Sequence, residues 1–198
     1  MKQNLALLIA LSFFVTSAIG APEVGQPAPP FTLTDSHGTK RSLADFKGKI
    51  VVLEWLNHGC PFVAPHYQGG NMQMLQKKYT EQDVVWLSVV SSAPGKQGQM
   101  SAEATNETTS EKEAAPTAVL LDENGTVGRL YDAKVTPEFF IIDPEGVLVY
   151  SGAIDDFKST SPDKSEAKNY LAQGLDQIMA GKEISVPQTR AYGCGIKY

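Results

Sequence analysis

The 198-residue chain is 42% hydrophobic and 20% charged, a composition that supports the core of one ordinary domain. Its 22 acidic and 17 basic residues give a formal charge of −5, which argues against nucleic acid or an anionic membrane surface as partner. The two cysteines, Cys60 and Cys194, are compatible with a structural staple, a catalytic pair, or one reactive thiol and a bystander.

Residues 1–20 have the form of a secretory signal. Lys2 supplies the positive start, Leu5 to Val15 is an apolar run, and Ala18-Ile19-Gly20 is a small-x-small cleavage site. The apolar run falls short of the about 20 residues that a membrane span needs. The expected product therefore starts at Ala21, has no membrane partner, and is periplasmic or secreted, where paired cysteines tend to oxidise.

A lead-in rich in Pro and Ala over 21–30 precedes a short alternating strand, Phe31-Thr32-Leu33-Thr34, and a turn at Ser36-His37-Gly38. Ser42 to Phe46 makes a helical turn ended by Gly48. Ile50 to Leu56 is a nearly continuous apolar run, the mark of a strand buried on both faces. Cys60 follows it, and Pro61 predicts a helix start directly after the sulfur, since proline is favoured at the first helical position. Backbone N–H groups at a helix start favour a thiolate over a thiol. Only the thiolate attacks disulfides or peroxides, so the position points to a redox role for Cys60; the bland alternative is a small buried core residue.

The helical pattern continues to about Tyr79 through Met72 and Leu75, with Pro65 and Gly69-Gly70 set to kink or interrupt it. Val84 to Val90 is a second buried strand. Ser91 to Glu113 is a polar loop with a surface helix, Thr117 to Leu121 a short strand, and Val127 to Tyr131 a brief helix. Phe139 to Ile142 and Val147 to Tyr150 flank Asp143-Pro144-Glu145-Gly146, a hairpin signal. Ser165 to Met179 is an amphipathic helix with Leu171, Leu175 and Ile178 inward, and a tail over 186–198 shows no clear periodicity. Strands alternating with helices predict an α/β sheet with a mixed edge, and function in such sheets gathers at the C-terminal ends of strands, where Cys60 lies.

Other candidates surround Cys60. Glu54, six residues upstream in an apolar strand, either is buried with a raised pKa and exchanges protons with Cys60, or faces out at a sheet edge. His58 and His66 give His-x-Cys-x5-His, a set that with the thiolate would suit copper or zinc, or tunes the thiolate, or is merely solvated. Gly193 and Gly195 make the segment around Cys194 mobile or tightly turned. From there Cys194 is expected to reach Cys60 as a resolving thiol, to form a permanent staple, or to stay unpaired.

Three segments taken together resemble a known family: Val24-Gly25-Gln26-Pro27-Ala28-Pro29-Pro30-Phe31-Thr32-Leu33, Cys60-Pro61-Phe62-Val63, and Val135-Thr136-Pro137-Glu138-Phe139-Phe140-Ile141-Ile142-Asp143. Their order and spacing are similar to the thioredoxin-like superfamily, in particular its exported TlpA-like and peroxiredoxin-like redoxin branch (AhpC/TSA type). The resemblance implies a thioredoxin-like α/β fold over residues 21–185, a central mixed sheet flanked by helices with an N-terminal extension. It implies that Cys60 is the nucleophile, that Pro137 is a cis-proline against it, and that Glu54 is the acid beneath it; Trp55 resembles an active-site aromatic of the family. Val63 stands where the family keeps a resolving thiol, which makes Cys194 the candidate to replace it, beside the staple and unpaired readings. The implied activity is thiol-dependent oxidoreduction of protein or small-molecule disulfides, or of peroxides, regenerated by an external thiol and using no cofactor. The chain departs from the peroxiredoxin pattern at Asn57, where a threonine or serine is usual, and has Arg129 as its one mid-chain arginine. In the thioredoxin alignment the peroxidatic position falls nearer Val63 than Cys60. The alternative is a non-catalytic module that binds metal or protein on the same fold.

Overall fold

The computed structural model describes residues 21–158 and 160–198, so the expected signal segment lies outside the described residues. The chain opens with a hairpin, β1 (Thr32–Asp35) and β2 (Lys40–Ser42). Asp35 closes it, accepting from the backbone N–H groups of His37 and Thr39 and from the Arg41 guanidinium. A 3-10 turn, Leu43–Phe46, follows; the Ser42 hydroxyl and the Asp45 carboxylate cap it reciprocally.

The two long apolar runs become β3 (Val51–Trp55) and β4 (Val85–Val90), in which every residue is buried. Between them lie α1 (Ala64–Gln68) and α2 (Asn71–Thr80). The surface helix α3 (Ala102–Glu111) leads to β5 (Ala118–Leu121), α4 (Thr126–Leu130) and β6 (Val135–Thr136). The hairpin β7 (Glu138–Ile142) and β8 (Leu148–Gly152), helix α5 (Tyr170–Met179) and the short β9 (Cys194–Gly195) complete the chain.

Seven strands form one sheet in the order β2-β1-β5-β4-β3-β7-β8, while β6 and β9 pair separately. β3, β4 and β5 are parallel, and β7, β8, β1 and β2 join antiparallel, which makes the mixed sheet expected from the sequence. Both faces are covered, so β3 alternates between two cores. Val52 and Leu56 pack with Phe139 and Ile141 against Leu75, Leu171 and Leu175 of the helices. Val51, Leu53 and Trp55 pack with Phe140 and Ile142 on the opposite face.

The structure differs from the sequence expectations at three places. The first helix starts at Ala64, not after Cys60: residues 60–63 form a turn in which the N–H groups of Val63 and Ala64 both donate to the Cys60 carbonyl, and Pro65 takes the early helical position assigned to Pro61. The last helix starts at Tyr170 rather than Ser165. The Asn169 side chain caps it through the Ala172 N–H, and the Asp156 carboxylate holds the Lys168 N–H outside the helix. The tail, expected without periodicity, is an extended segment with alternating contacts. It crosses from one core, which Cys194 touches, to the other, which Ile196 touches. The expected break at Gly69-Gly70 is present, with Gly70 at φ +73° separating α1 from α2.

Candidate active site

Cys60 sits past the C-terminal end of β3 and is fully buried. Its loop is shaped by Asn57, whose carboxamide oxygen accepts the Gly59 N–H at 2.9 Å while its nitrogen donates to Gln97. The Thr136–Pro137 peptide is cis, as the resemblance implies, and the Thr136 carbonyl lies 3.1 Å from the Cys60 sulfur. On the remaining side β9 runs antiparallel to β6, with Cys194 directly opposite Thr136. This register sets the Cys194 sulfur 2.7 Å from that of Cys60, both cysteines being free thiols. Cys60 and Cys194 thus meet across 134 positions of sequence.

The two thiols are unequal. Burial raises the Cys60 pKa, but hydrogen bonds with the Cys194 thiol, the Phe62 N–H, the Cys194 backbone and Thr136 outweigh it, and the net shift is downward. Cys194 moves the opposite way: burial pushes it up, and its bond to Cys60 and the Cys60 charge push it further. The contact therefore makes Cys60 the more acidic and Cys194 the less acidic thiol of the pair.

Glu54 is fully buried on β3, opposite Ser88 of β4 and Phe139 of β7, so it belongs to the sheet centre and not to an edge. Its carboxylate accepts four hydrogen bonds, from Tyr67 (2.8 Å), Gln76 (3.1 Å), Trp86 (2.8 Å) and Ser88 (2.9 Å). Burial raises its pKa while these four donors oppose the rise. Among the described residues Glu54 has no hydrogen bond to Cys60. Tyr67, its donor, lies in the same buried cluster as Cys60. Trp55 packs into the opposite core and donates to Ser91, away from the sulfurs.

Neither histidine approaches Cys60 as a hydrogen-bond partner. His58 meets the Tyr67 ring edge-on at 4.7 Å, and burial followed by the Lys112 charge lowers its pKa to about 4. His66 is buried beside Asn71, its pKa lowered to about 4 by burial and then by Lys164. Both imidazoles are neutral at pH 7 and lend no positive charge to the thiolate. Among the described residues no cluster of three His, Cys, Asp or Glu side chains is placed to hold a metal ion. Arg129 is occupied elsewhere, its guanidinium lying 4.5 Å over the Tyr198 ring.

Several residues of the site were not singled out from the sequence. Buried Asp155 accepts the Tyr192 hydroxyl two residues before Cys194, and its other oxygen is 3.9 Å from His66 Nε2. Tyr192, Cys194, Ile196 and Tyr198 alternate inward, a period-two signal that was present in the sequence but broken visually by Gly193 and Gly195. Apart from the Phe157 N–H that it also accepts, the partners of Asp155 lie on α1 and the tail, out of reach of a local pattern.

Comparison with known proteins bears on the family and the fold. The family model described as "AhpC/TSA family" matches residues 24–151. The chain is 27% identical over 172 residues to peroxiredoxin Bcp of Bacillus subtilis, covering 79% of this chain and 94% of that protein. It is 28% identical over 156 residues to the thiol-disulfide oxidoreductase ResA of the same organism, covering 73% and 78% respectively. A solved structure of an uncharacterized conserved protein from Geobacillus kaustophilus superposes with a TM-score of 0.78 at 28% identity, covering 89% of this chain and 92% of that one.

Proposed function

This chain belongs to the AhpC/TSA family of thioredoxin-fold redox proteins, and on that premise we propose that it is an exported two-cysteine oxidoreductase in which Cys60 is the nucleophile and Cys194 the resolving thiol. The observation that carries this reading is the 2.7 Å approach of two thiols whose pKa values shift in opposite directions. With a disulfide substrate, the Cys60 thiolate attacks one sulfur and expels the other as a thiolate, leaving a mixed disulfide. Cys194 then loses its proton, attacks Cys60 and releases the second substrate thiolate. The substrate gains two electrons and the Cys60–Cys194 pair loses them. With a hydroperoxide, Cys60 takes one oxygen as a sulfenic acid, an alcohol or water leaves, and Cys194 condenses with it, releasing water. An external thiol reductant restores both thiols.

The pair is arranged for this order of events. After burial, Cys194 is held protonated by its bond to Cys60 and by the Cys60 charge. Once Cys60 is bonded to substrate it carries no charge, so both of those influences vanish and Cys194 becomes easier to ionise. The Thr136 carbonyl lies against the Cys60 sulfur, the cis bond to Pro137 sets its direction, and Glu54 is the buried acid on the strand that leads to Cys60. Residues 1–20 would direct export.

The test compares Cys60→Ser and Cys194→Ser in disulfide-reduction and peroxide-consumption assays, with mass mapping. Cys60→Ser is expected to abolish both, and Cys194→Ser to accumulate a substrate adduct on Cys60. Turnover by Cys60→Ser would overturn the proposal. N-terminal sequencing of exported protein should begin at Ala21.

A further inference from the structure

The tail is held on both sides of Cys194. Upstream, Thr189 and Pro187 bond to the Ser151 backbone, and buried Tyr192 donates to Asp155 and meets the Phe62 ring at 6.0 Å. Downstream, the Ile196 N–H donates to the Lys134 carbonyl at 3.0 Å, and the Ala93 N–H to the Lys197 carbonyl at 2.8 Å. The Tyr198 hydroxyl donates to the Ala133 carbonyl at 2.7 Å. Its ring fills a slot that exists because Gly125 and Gly128 lack side chains: a Cβ on either would collide with the ring. Arg129 closes that slot from above. Gly193 has φ +147° and passes so close to the Thr136 carbonyl that no Cβ fits.

Between these anchors β9 fills the backbone edge of β6, immediately beside a Cys60 that is fully buried. An open strand edge next to a nucleophile is where an extended polypeptide would add by main-chain hydrogen bonding. Here the chain's own tail has taken that place. We infer that the docked tail, latched by Tyr198, restricts Cys60 to small oxidants and low-mass disulfides and excludes extended polypeptide disulfides, which makes Tyr198 a specificity-determining residue. This rests on the reading of Cys60 as the nucleophile, and it names the substrate class of that site.

Two reagents with the same reacting group separate the cases: the 2-pyridyl mixed disulfide of cysteamine, and that of an extended ten-residue peptide bearing one cysteine. In each, the Cys60 thiolate forms the new disulfide and pyridine-2-thione leaves, which is read by its absorbance. The full chain is used in a Cys194→Ser background so that only Cys60 reacts. Tyr198→Ala is expected to raise the peptide rate by about tenfold, in proportion to the open fraction of the edge, while leaving the cysteamine rate within about threefold. Tyr198→Phe, which keeps the ring and loses one hydrogen bond, should give a smaller shift in the same direction. An unchanged ratio, or an equal rise for both reagents, overturns the inference. If Tyr198→Ala unfolds, Tyr192→Phe with Tyr198→Phe decides: a rise confined to the peptide reagent supports it and no rise refutes it. Because these rates read access to Cys60 rather than turnover, the inference survives or fails separately from the proposed activity, which turnover by Cys60→Ser alone would remove.

Discussion

The acidity of Cys60 is a balance between burial, which opposes ionisation, and four hydrogen bonds at the sulfur, two of which come from the tail. Alkylation of Cys60 should therefore show a midpoint below the ordinary cysteine value of about 8.5. Cys194→Ala removes the donor and should raise that midpoint, as read by iodoacetamide kinetics across pH; an unchanged midpoint would locate the cause elsewhere. Glu54 makes a different kind of prediction. Glu54→Ala leaves four buried donors without an acceptor, a loss on the order of 3 kcal/mol or more. In a chain of this size that corresponds to a drop of roughly 6–12 °C in Tm. The pH dependence has a definite sign. Burial raises the Glu54 pKa in the folded state, so the native protein prefers the protonated acid. That contribution is fully present below the unfolded carboxyl value and is lost as pH rises through the folded one. The stability of the natural chain relative to Glu54→Gln should therefore fall with rising pH across that window, and a rise would contradict the assignment.

At the scale of elements, β9 is the short piece that completes the site, and Gly193 permits it. Gly193→Ala adds a methyl where the Thr136 carbonyl already sits, at a φ that side chains rarely adopt. It should lift Cys194 away and slow Cys60–Cys194 disulfide formation at least about tenfold, a barrier change of roughly 1.4 kcal/mol, measured by quenching with an alkylating agent after a pulse of oxidant. How far such elements were legible follows from the range of the forces that form them. β3, β4 and the β7–β8 hairpin are written locally, in apolar runs and in Asp143-Pro144-Glu145-Gly146. Cys60 was legible from its place after the apolar run and before Pro61, Pro137 from a family pattern, and Glu54 from both its place in the apolar run and that pattern. The start of α5 was misplaced because Asp156, fourteen residues before Tyr170, takes the Lys168 N–H. The tail was misread because its order comes from pockets in Gly125, Gly128 and Asp155, which no local pattern announces.

For the whole molecule, joining Cys60 to Cys194 would close a loop over most of the domain. Such a crosslink restricts the unfolded chain and typically adds about 2–4 kcal/mol. The oxidised protein should melt roughly 4–16 °C above the reduced protein. Scanning calorimetry of the two forms checks this, and equal midpoints would mean that the pair does not form. The two cores flanking the sheet also give the molecule two separate optical reporters. Each of its two tryptophans serves one: the Trp86 indole N–H rests on Glu54, whereas Trp55 rests on Ser91, across the sheet. Emission from Trp86 should track the protonation of the buried acid without any label. A Trp55→Phe variant would thus turn the intrinsic fluorescence of the folded protein into a titration curve for a single carboxyl group.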